Sequence, residues 1–244
     1  MNLILVEEWE RVDGHSVTFS DARAAHLLNV LRAVPGQSVR VGVLDGPLGV
    51  GTVESVRDRQ VTLHCVFESQ IPARPRVDVL LAVPRPKVMR RLWAQLAALG
   101  VGQIILTNAE RVERHYFDTH VLNEPFYRSL LIEGLQQARD TRLPVVSIHR
   151  QFRILVEDHV DGLFSEGVRL VADPSGAISI GAALADHRDS RVLIAIGPEG
   201  GWNTFELSLL EAHRFHRVGL GPRTLRVDTA CTALLAVAHA VLTG

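Results

Sequence analysis

With 244 residues, the chain can hold one large domain or two ordinary ones. Apolar residues make up 47% and charged residues 22%, a balance that excludes disorder and collagen-like repeats. A net charge of −1 excludes a polycation, and two cysteines, Cys65 and Cys231, cannot staple a chain of this size. The longest uncharged stretch, Thr229 to Gly244, is too short to span a membrane and carries His239 in its middle. The start, Met-Asn-Leu-Ile-Leu-Val-Glu-Glu, lacks a basic lead and turns acidic too early for a signal peptide. The expectation is a reduced, cytoplasmic, globular protein with no membrane partner.

In chain order, the spacing predicts a helix over Asp21–Leu31, where Ser20 can cap and Ala24, Leu27, Leu28 and Leu31 share a face. Strands follow at Val39–Leu44, Gly51–Val56 and Gln60–Phe67, the first two separated by the turn residues Asp45-Gly-Pro-Leu-Gly. Short strands with one helix suggest a small β-barrel over residues 1–72. Ile71-Pro-Ala-Arg-Pro-Arg76 reads as a linker. Beyond it the rhythm changes to apolar runs at 77–83, 103–107, 145–148, 168–172, 191–196 and 216–220 with helical segments between them. Val88, Leu92, Leu96 and Leu99 mark the first of these helices, and Gly100 can end it. Alternating strand and helix predicts an α/β domain over 73–244 with a mostly parallel sheet covered on both faces.

Charge is unevenly spread. Residues 1–72 hold six Arg against nine Asp and Glu, whereas 74–91 hold Arg74, Arg76, Arg85, Lys87, Arg90 and Arg91 against Asp78 alone. Such a patch either contacts phosphates or is a solvated face.

Two loops stand out as sites for chemistry. Ile196-Gly-Pro-Glu-Gly-Gly-Trp202 directly follows an apolar strand, and its glycines allow a sharp turn and a close approach to a ligand. A plain strand-to-helix turn is the alternative. Asn203 and Glu206 then form a capping box for a helix running to about Arg214. Leu220-Gly-Pro-Arg-Thr-Leu-Arg-Val-Asp-Thr-Ala230 is the second loop, again between a strand and a helix. Asp228 or Thr229 can cap that helix, and Arg226 can hold an anionic group or a surface ion pair. The last helix is apolar nearly all round, which requires burial on several sides, in a core or against another subunit. His213 and His216 have metal-ligand spacing but no third ligand nearby, so no metal is expected. Trp9, Trp93 and Trp202 are scattered, which favours core packing over a stacking platform.

Gly-Pro-Glu-Gly-Gly followed about twenty residues later by Leu-Gly-x-x-x-Leu-Arg-x-Asp-Thr-Ala resembles the SPOUT-class RNA methyltransferases. More narrowly, it is similar to the family that methylates N3 of a uridine in 16S ribosomal RNA. His26 with Val30-Leu-Arg32 and Pro35-Gly36, Leu99-Gly-Val101, and Glu110-Arg111 extend the likeness over most of the chain. The resemblance implies a PUA-like, RNA-binding β-barrel followed by a knotted α/β domain, with S-adenosyl-L-methionine as cofactor. It implies a homodimer that completes the active site, with 16S rRNA or the small ribosomal subunit as partner. Carried onto this chain, cofactor positions are Gly197, Pro198, Glu199, Gly200, Gly201, Leu220, Gly221, Leu225 and Arg226. Asp173, in the turn Asp173-Pro-Ser-Gly176, falls where the resemblance places another cofactor loop. A side chain at Gly200 is expected to enter the cofactor's space. Arg85, Lys87, Arg90 and Arg91 become RNA-binding candidates.

The chain departs from the family on the middle helix. Where the family has Glu-Gln-Ser/Cys-x-Arg, this sequence has Gln136-Gln-Ala-Arg-Asp140, then Thr-Arg-Leu-Pro144. Glu133 lies on the same helical face and can substitute for the missing acid, and Arg139 or Arg142 for the arginine. The catalytic candidates are therefore Asp228 or Glu133 as base or orienter, and Arg226 to stabilise negative charge on the uracil. The alternatives are an RNA-binding protein of the same fold without catalysis, or a methyltransferase of another RNA position such as a ribose 2′-oxygen.

Overall fold

The computed structural model describes residues 3–243, which form two compact units. The first comprises the chain up to Arg74 together with 132–143, and the second 75–131 together with the chain from Pro144.

In the first unit, β1 (Ile4–Val6), β2 (Ser16–Phe19), α1 (Ala22–Asn29), β3 (Ser38–Val43), β4 (Leu48–Arg57) and β5 (Gln60–Phe67) build one sheet of order β1-β3-β4-β5-β2. Only the β1–β3 pair is parallel. Alternation along β5 sends Val61, Leu63 and Cys65 into a core shared with Val17, Phe19, Val41 and Val53. Leu27 and Ala24 of α1 close that core, but the helix stops at Asn29 and leaves Leu31 partly exposed. Its cap is Asp21, whose carboxylate accepts from the Arg23 amide at 2.9 Å, rather than Ser20. The short strands β1 and β2 were not anticipated: three or four residues carry too little alternation to register.

Residues 132–143 join this unit because they satisfy the turn after β3. The Asp45 amide donates to the Thr141 carbonyl at 2.7 Å, and the buried Thr141 hydroxyl donates to the Gly46 carbonyl at 2.6 Å. Arg142 donates to the Asp45 carbonyl at 2.8 Å, which ties up the side chain considered as a replacement arginine. Asp140 likewise has a local duty, accepting from the amides of Thr141 and Arg142.

The second unit carries β6 (Val77–Ala82), α2 (Pro86–Ala98), β7 (Val101–Thr107), α3 (Glu124–Ala138, whose last turns belong to the first unit), β8 (Val145–His149), α4 (Phe152–Ile154) and α5 (Val160–Leu163). It continues through β9 (Val168–Ala172), β10 (Ile178–Ser179), α6 (Ile180–Leu184), β11 (Val192–Ile196), α7 (Thr204–Ala212), β12 (Phe215–Gly219) and α8 (Val227–Thr243). Seven parallel strands run in the order β10-β12-β9-β11-β6-β7-β8. Every residue of β6, β7 and β11 is buried, as strands covered on both faces must be. The buried stripe of α2 is Met89, Leu92, Trp93, Leu96 and Ala97; Val88 and Leu99 lie at its margin. Gly100 ends the helix with φ +73°, a conformation that favours glycine. Among the described residues, no helix is long and apolar enough to cross a membrane.

Candidate functional site

Strands β12, β9 and β11 are neighbours in the sheet, so the loops leaving their carboxyl ends converge. Between them lies an open cleft of about 660 Å³ of empty space, its open mouth included. Its walls come from Asp173 and Pro174 after β9, from the loop after β11, from Leu220 to Leu225, and from Val227, Ala230 and Leu234 on α8.

The first glycine loop is shaped by its own contacts. Gly201 has φ +72°, and its amide donates to the Pro198 carbonyl at 2.8 Å, closing a tight turn. A Cβ on Gly197 would meet the Trp202 backbone and ring at 3.2 Å, so the missing side chain lets that ring fold against the loop. Glu199 accepts from the Arg85 amide at 3.1 Å, Arg111 donates to the Gly200 carbonyl, and the capping box of Asn203 and Glu206 fixes the start of α7. On the opposite wall, the Asp173 turn is locked to β12: its amide donates to the Val218 carbonyl at 3.0 Å, and its carboxylate accepts from Ser175.

The cleft brings together most of the expected cofactor residues: Asp173, Gly197, Pro198, Glu199, Gly201, Leu220, Gly221 and Leu225. Gly200 and Arg226 do not line it. A Cβ on Gly200 would sit 2.8 Å from Arg111 Cδ, so that position faces the arginine that clasps the loop. Arg226 is exposed at the entrance to α8, with no side-chain partner among the described residues, and its carbonyl accepts from the Ala230 amide. The helix begins at Val227, so Asp228 lies in its first turn and is not its cap. Its carboxylate pairs with Arg91 at 2.7 Å. Glu133 is exposed on the part of α3 that belongs to the first unit.

Trp202 is buried as expected of a core ring and also lines the cleft, and its indole nitrogen has no hydrogen-bond partner among the described residues. Trp93 does pack in the core, with its nitrogen donating to the Val121 carbonyl, whereas Trp9 is 80% exposed. Adjacency to the glycine turn was the one signal for Trp202, and it does not separate a packing ring from a lining one.

Much of the basic segment is structural. Arg74 bonds to Asp45 and the Leu143 carbonyl, and Arg76 to the carbonyls of Arg188 and Leu242. Burial pushes the Asp78 carboxyl up to about 6, against the pull of the Arg191 guanidinium beside it. What remains is Arg85, Lys87, Arg90 and Arg91, all exposed at the amino-terminal half of α2. Arg91 is engaged by Asp228, and Arg90 lies over the Phe126 ring at 5.9 Å. The positive end of the helix dipole adds to their field.

The cleft's chemistry fits an adenosylmethionine. Ile196, Leu220, Leu225 and Leu234 offer apolar walls for a flat base, and the turns expose peptide groups. Carboxylates of Asp173 and Glu199 suit a cationic ligand, and the Trp202 N–H is a buried donor still to be satisfied.

A family model for the RNA methyltransferase domain matches residues 72–239. The ribosomal RNA small subunit methyltransferase E of Treponema pallidum is 32% identical, with 98% of this chain and 92% of that protein aligned. The protein of the same name from Synechocystis is 29% identical over 98% of this chain and 77% of its own length. Among solved structures, the Neisseria gonorrhoeae ribosomal RNA small subunit methyltransferase E bound to S-adenosyl methionine superposes with a TM-score of 0.79, at 21% identity and 99% and 98% coverage. A Legionella pneumophila protein in complex with the same cofactor gives 0.75, at 23% identity and 98% and 97% coverage. At those identities the two structures establish a shared fold.

Proposed function

The chain belongs to the RNA methyltransferase family that contains the ribosomal RNA small subunit methyltransferases E, and on that premise we propose that it transfers the methyl group of S-adenosylmethionine to small-subunit ribosomal RNA. The target is N3 of a uridine in 16S rRNA. The single observation that carries the reading is the cleft between the loops at 197–202 and 220–225, walled by glycine turns and an apolar helix face. Bound there, the cofactor supplies an electrophilic methyl on a sulfonium.

The protein's own residues do the rest. The two loops and α8 hold the ligand and exclude water from one side of it. Arg226, beside the cleft and with no side-chain partner among the described residues, meets the negative charge that spreads over the uracil as N3 gives up its proton. Asp228, tied to Arg91, and Glu133 are the two carboxylates that can serve as base or orienter. Alignment of the reacting atoms supplies roughly 7–11 kcal/mol of the barrier, so a modest base is enough.

The first unit is read as a PUA-like barrel that grips RNA, the 220–226 passage as part of the class's knot, and the protein as a cytoplasmic homodimer. For the dimer, the support is the outer face of α8, where Ala233, Ala236, Val237, Ala240 and Val241 keep some exposure to solvent. Sedimentation at micromolar concentration is expected to give a dimer; a monomer would remove this contact and any composite site.

The deciding experiment incubates the protein with small subunits lacking the modification, followed by mass spectrometry of nucleosides. Appearance of N3-methyluridine is expected. A ribose-methylated product, or cofactor binding with no transfer, would replace the reading; the altered residues Gln136–Asp140 at and after the end of α3 favour the second of these outcomes over the first. Converting Arg85, Lys87 and Arg90 to Gln should weaken RNA binding and reduce the slope of log affinity against log salt by about 2, since each lost phosphate contact removes about 0.7 on a single strand. Arg91 is left in place to spare its pair with Asp228. A folded triple variant with the parental slope would move the RNA face elsewhere.

A further inference from the structure

The carboxyl edge of the parallel sheet carries a second depression. It lies past the end of β7, against the starts of α4 and α7, as a half-open hollow of about 350 Å³. That is within the size range of small-ligand sites, about 300–1,000 Å³. Ala109, Val112 and Phe152 provide apolar walls, and Glu206 at its base is fully used by the amides of Glu110 and Asn203.

Three side chains there have no structural task that explains them. Phe205 is 57% exposed in the first turn of α7, although its neighbours Leu207 and Leu210 are buried. The Asn108 amide oxygen is buried with no partner among the described residues, while its backbone donates to His149. Arg114 forms no side-chain hydrogen bond or ion pair among them, and Arg153 beside it has only the exposed pair with Glu157. A solvent-facing ring, an unspent amide in a recess and two guanidiniums on the rim are the recognition set for an unstacked nucleotide. The groove also adjoins the cofactor cleft, because Phe152 on its wall packs against Trp202 of the cleft with ring centroids 5.4 Å apart.

We infer that this groove is a subsite for one unpaired RNA nucleotide flanking the one to be methylated, with its base on Phe205, Asn108 on the wall of the recess and its phosphate met by Arg114 and Arg153. This rests on the RNA methyltransferase reading. The target base itself is excluded from the groove, since the Phe152–Trp202 pair stands between it and the methyl-donor cleft.

The test titrates fluorescein-labelled pentauridylate into the full-length protein and its variants, read by anisotropy, with cofactor affinity measured alongside by calorimetry. Phe205→Ala should weaken the oligonucleotide roughly 5- to 150-fold, the range for losing one base–aromatic stack. Its salt slope should stay parental, because the ring carries no charge. Arg114→Gln should lower the slope by about 0.7. Cofactor affinity should be unchanged in both. Parental oligonucleotide affinity in Phe205→Ala would overturn the subsite, as would no binding by the parent protein. A shift of Phe205→Ala to a smaller sedimenting species would overturn it too, by showing that a second copy covers the ring. The two readings separate cleanly: if the Phe205→Ala loss appears while the parent transfers no methyl to small subunits, the subsite stands and the enzymatic assignment falls.

Discussion

An Ala230→Phe variant will lose S-adenosylmethionine binding by at least two orders of magnitude, with an unfolding midpoint close to the parent's. Ala230 closes the first turn of α8 and lines the cleft, so a phenyl ring there occupies space that the ligand needs. The cleft is open, so the added ring displaces solvent and overpacks nothing, unlike a core insertion. Gly200→Val is the matched control. Its side chain would push against the stem of Arg111, with Cδ 2.8 Å and Cβ 3.3 Å from the new Cβ, outside the cleft, and affinity should fall by no more than about fivefold, roughly 1 kcal/mol. Calorimetry on both variants decides the placement. Full affinity in Ala230→Phe would put the ligand elsewhere, and abolished affinity in Gly200→Val would mean that Arg111's grip on the loop governs binding.

Removing the Arg226 guanidinium is the second large effect. A donor that meets developing negative charge is worth up to about 10²–10³ in kcat. Arg226→Ala should show that loss with cofactor affinity unchanged, since the side chain does not line the cleft. Arg226→Lys should recover only part of it, because a point charge cannot reproduce the planar fork. The base is identified by a different signature. In a pH–rate series, whichever of Asp228→Asn and Glu133→Gln flattens the acid limb has lost the proton acceptor. Arg226→Ala with parental kcat would transfer the charge-stabilising role to another cation, with Arg223 on the cleft wall the next to test.

Strands β6, β7 and β11 were legible because each is a short apolar run between polar segments, buried on both faces, whereas β10, two exposed residues at Ile178–Ser179, carries no such pattern. The Asn203–Glu206 box was legible for a local reason: both partners lie within one helical turn. The glycine loops announced a site through composition, and adjacency of β12, β9 and β11 made it one cleft. Gly200 escaped, because which way a glycine faces depends on Arg111, 89 positions earlier in the chain. So did residues 132–143, whose membership of the first unit rests on hydrogen bonds between Thr141, Arg142 and a turn at 45–46. Such long-range pairings leave no mark on local spacing. Asp228 was read as a cap or a base, and its partner on α2 was equally invisible.

Each unit happens to contain one thiol, and both are sealed. Cys65 lies in the first sheet's core and Cys231 on the inner face of α8, and burial pushes them up to about 11 and about 12. Neither offers a thiolate at neutral pH, so alkylating reagents can reach them only through transient opening. The native protein is therefore a pair of built-in clocks. Slow modification at each sulfur, followed by peptide mass, reports how often its own unit opens, without labels or engineered residues. A ligand that seats against α8 should slow the clock at Cys231 and leave the one at Cys65 running at its former rate.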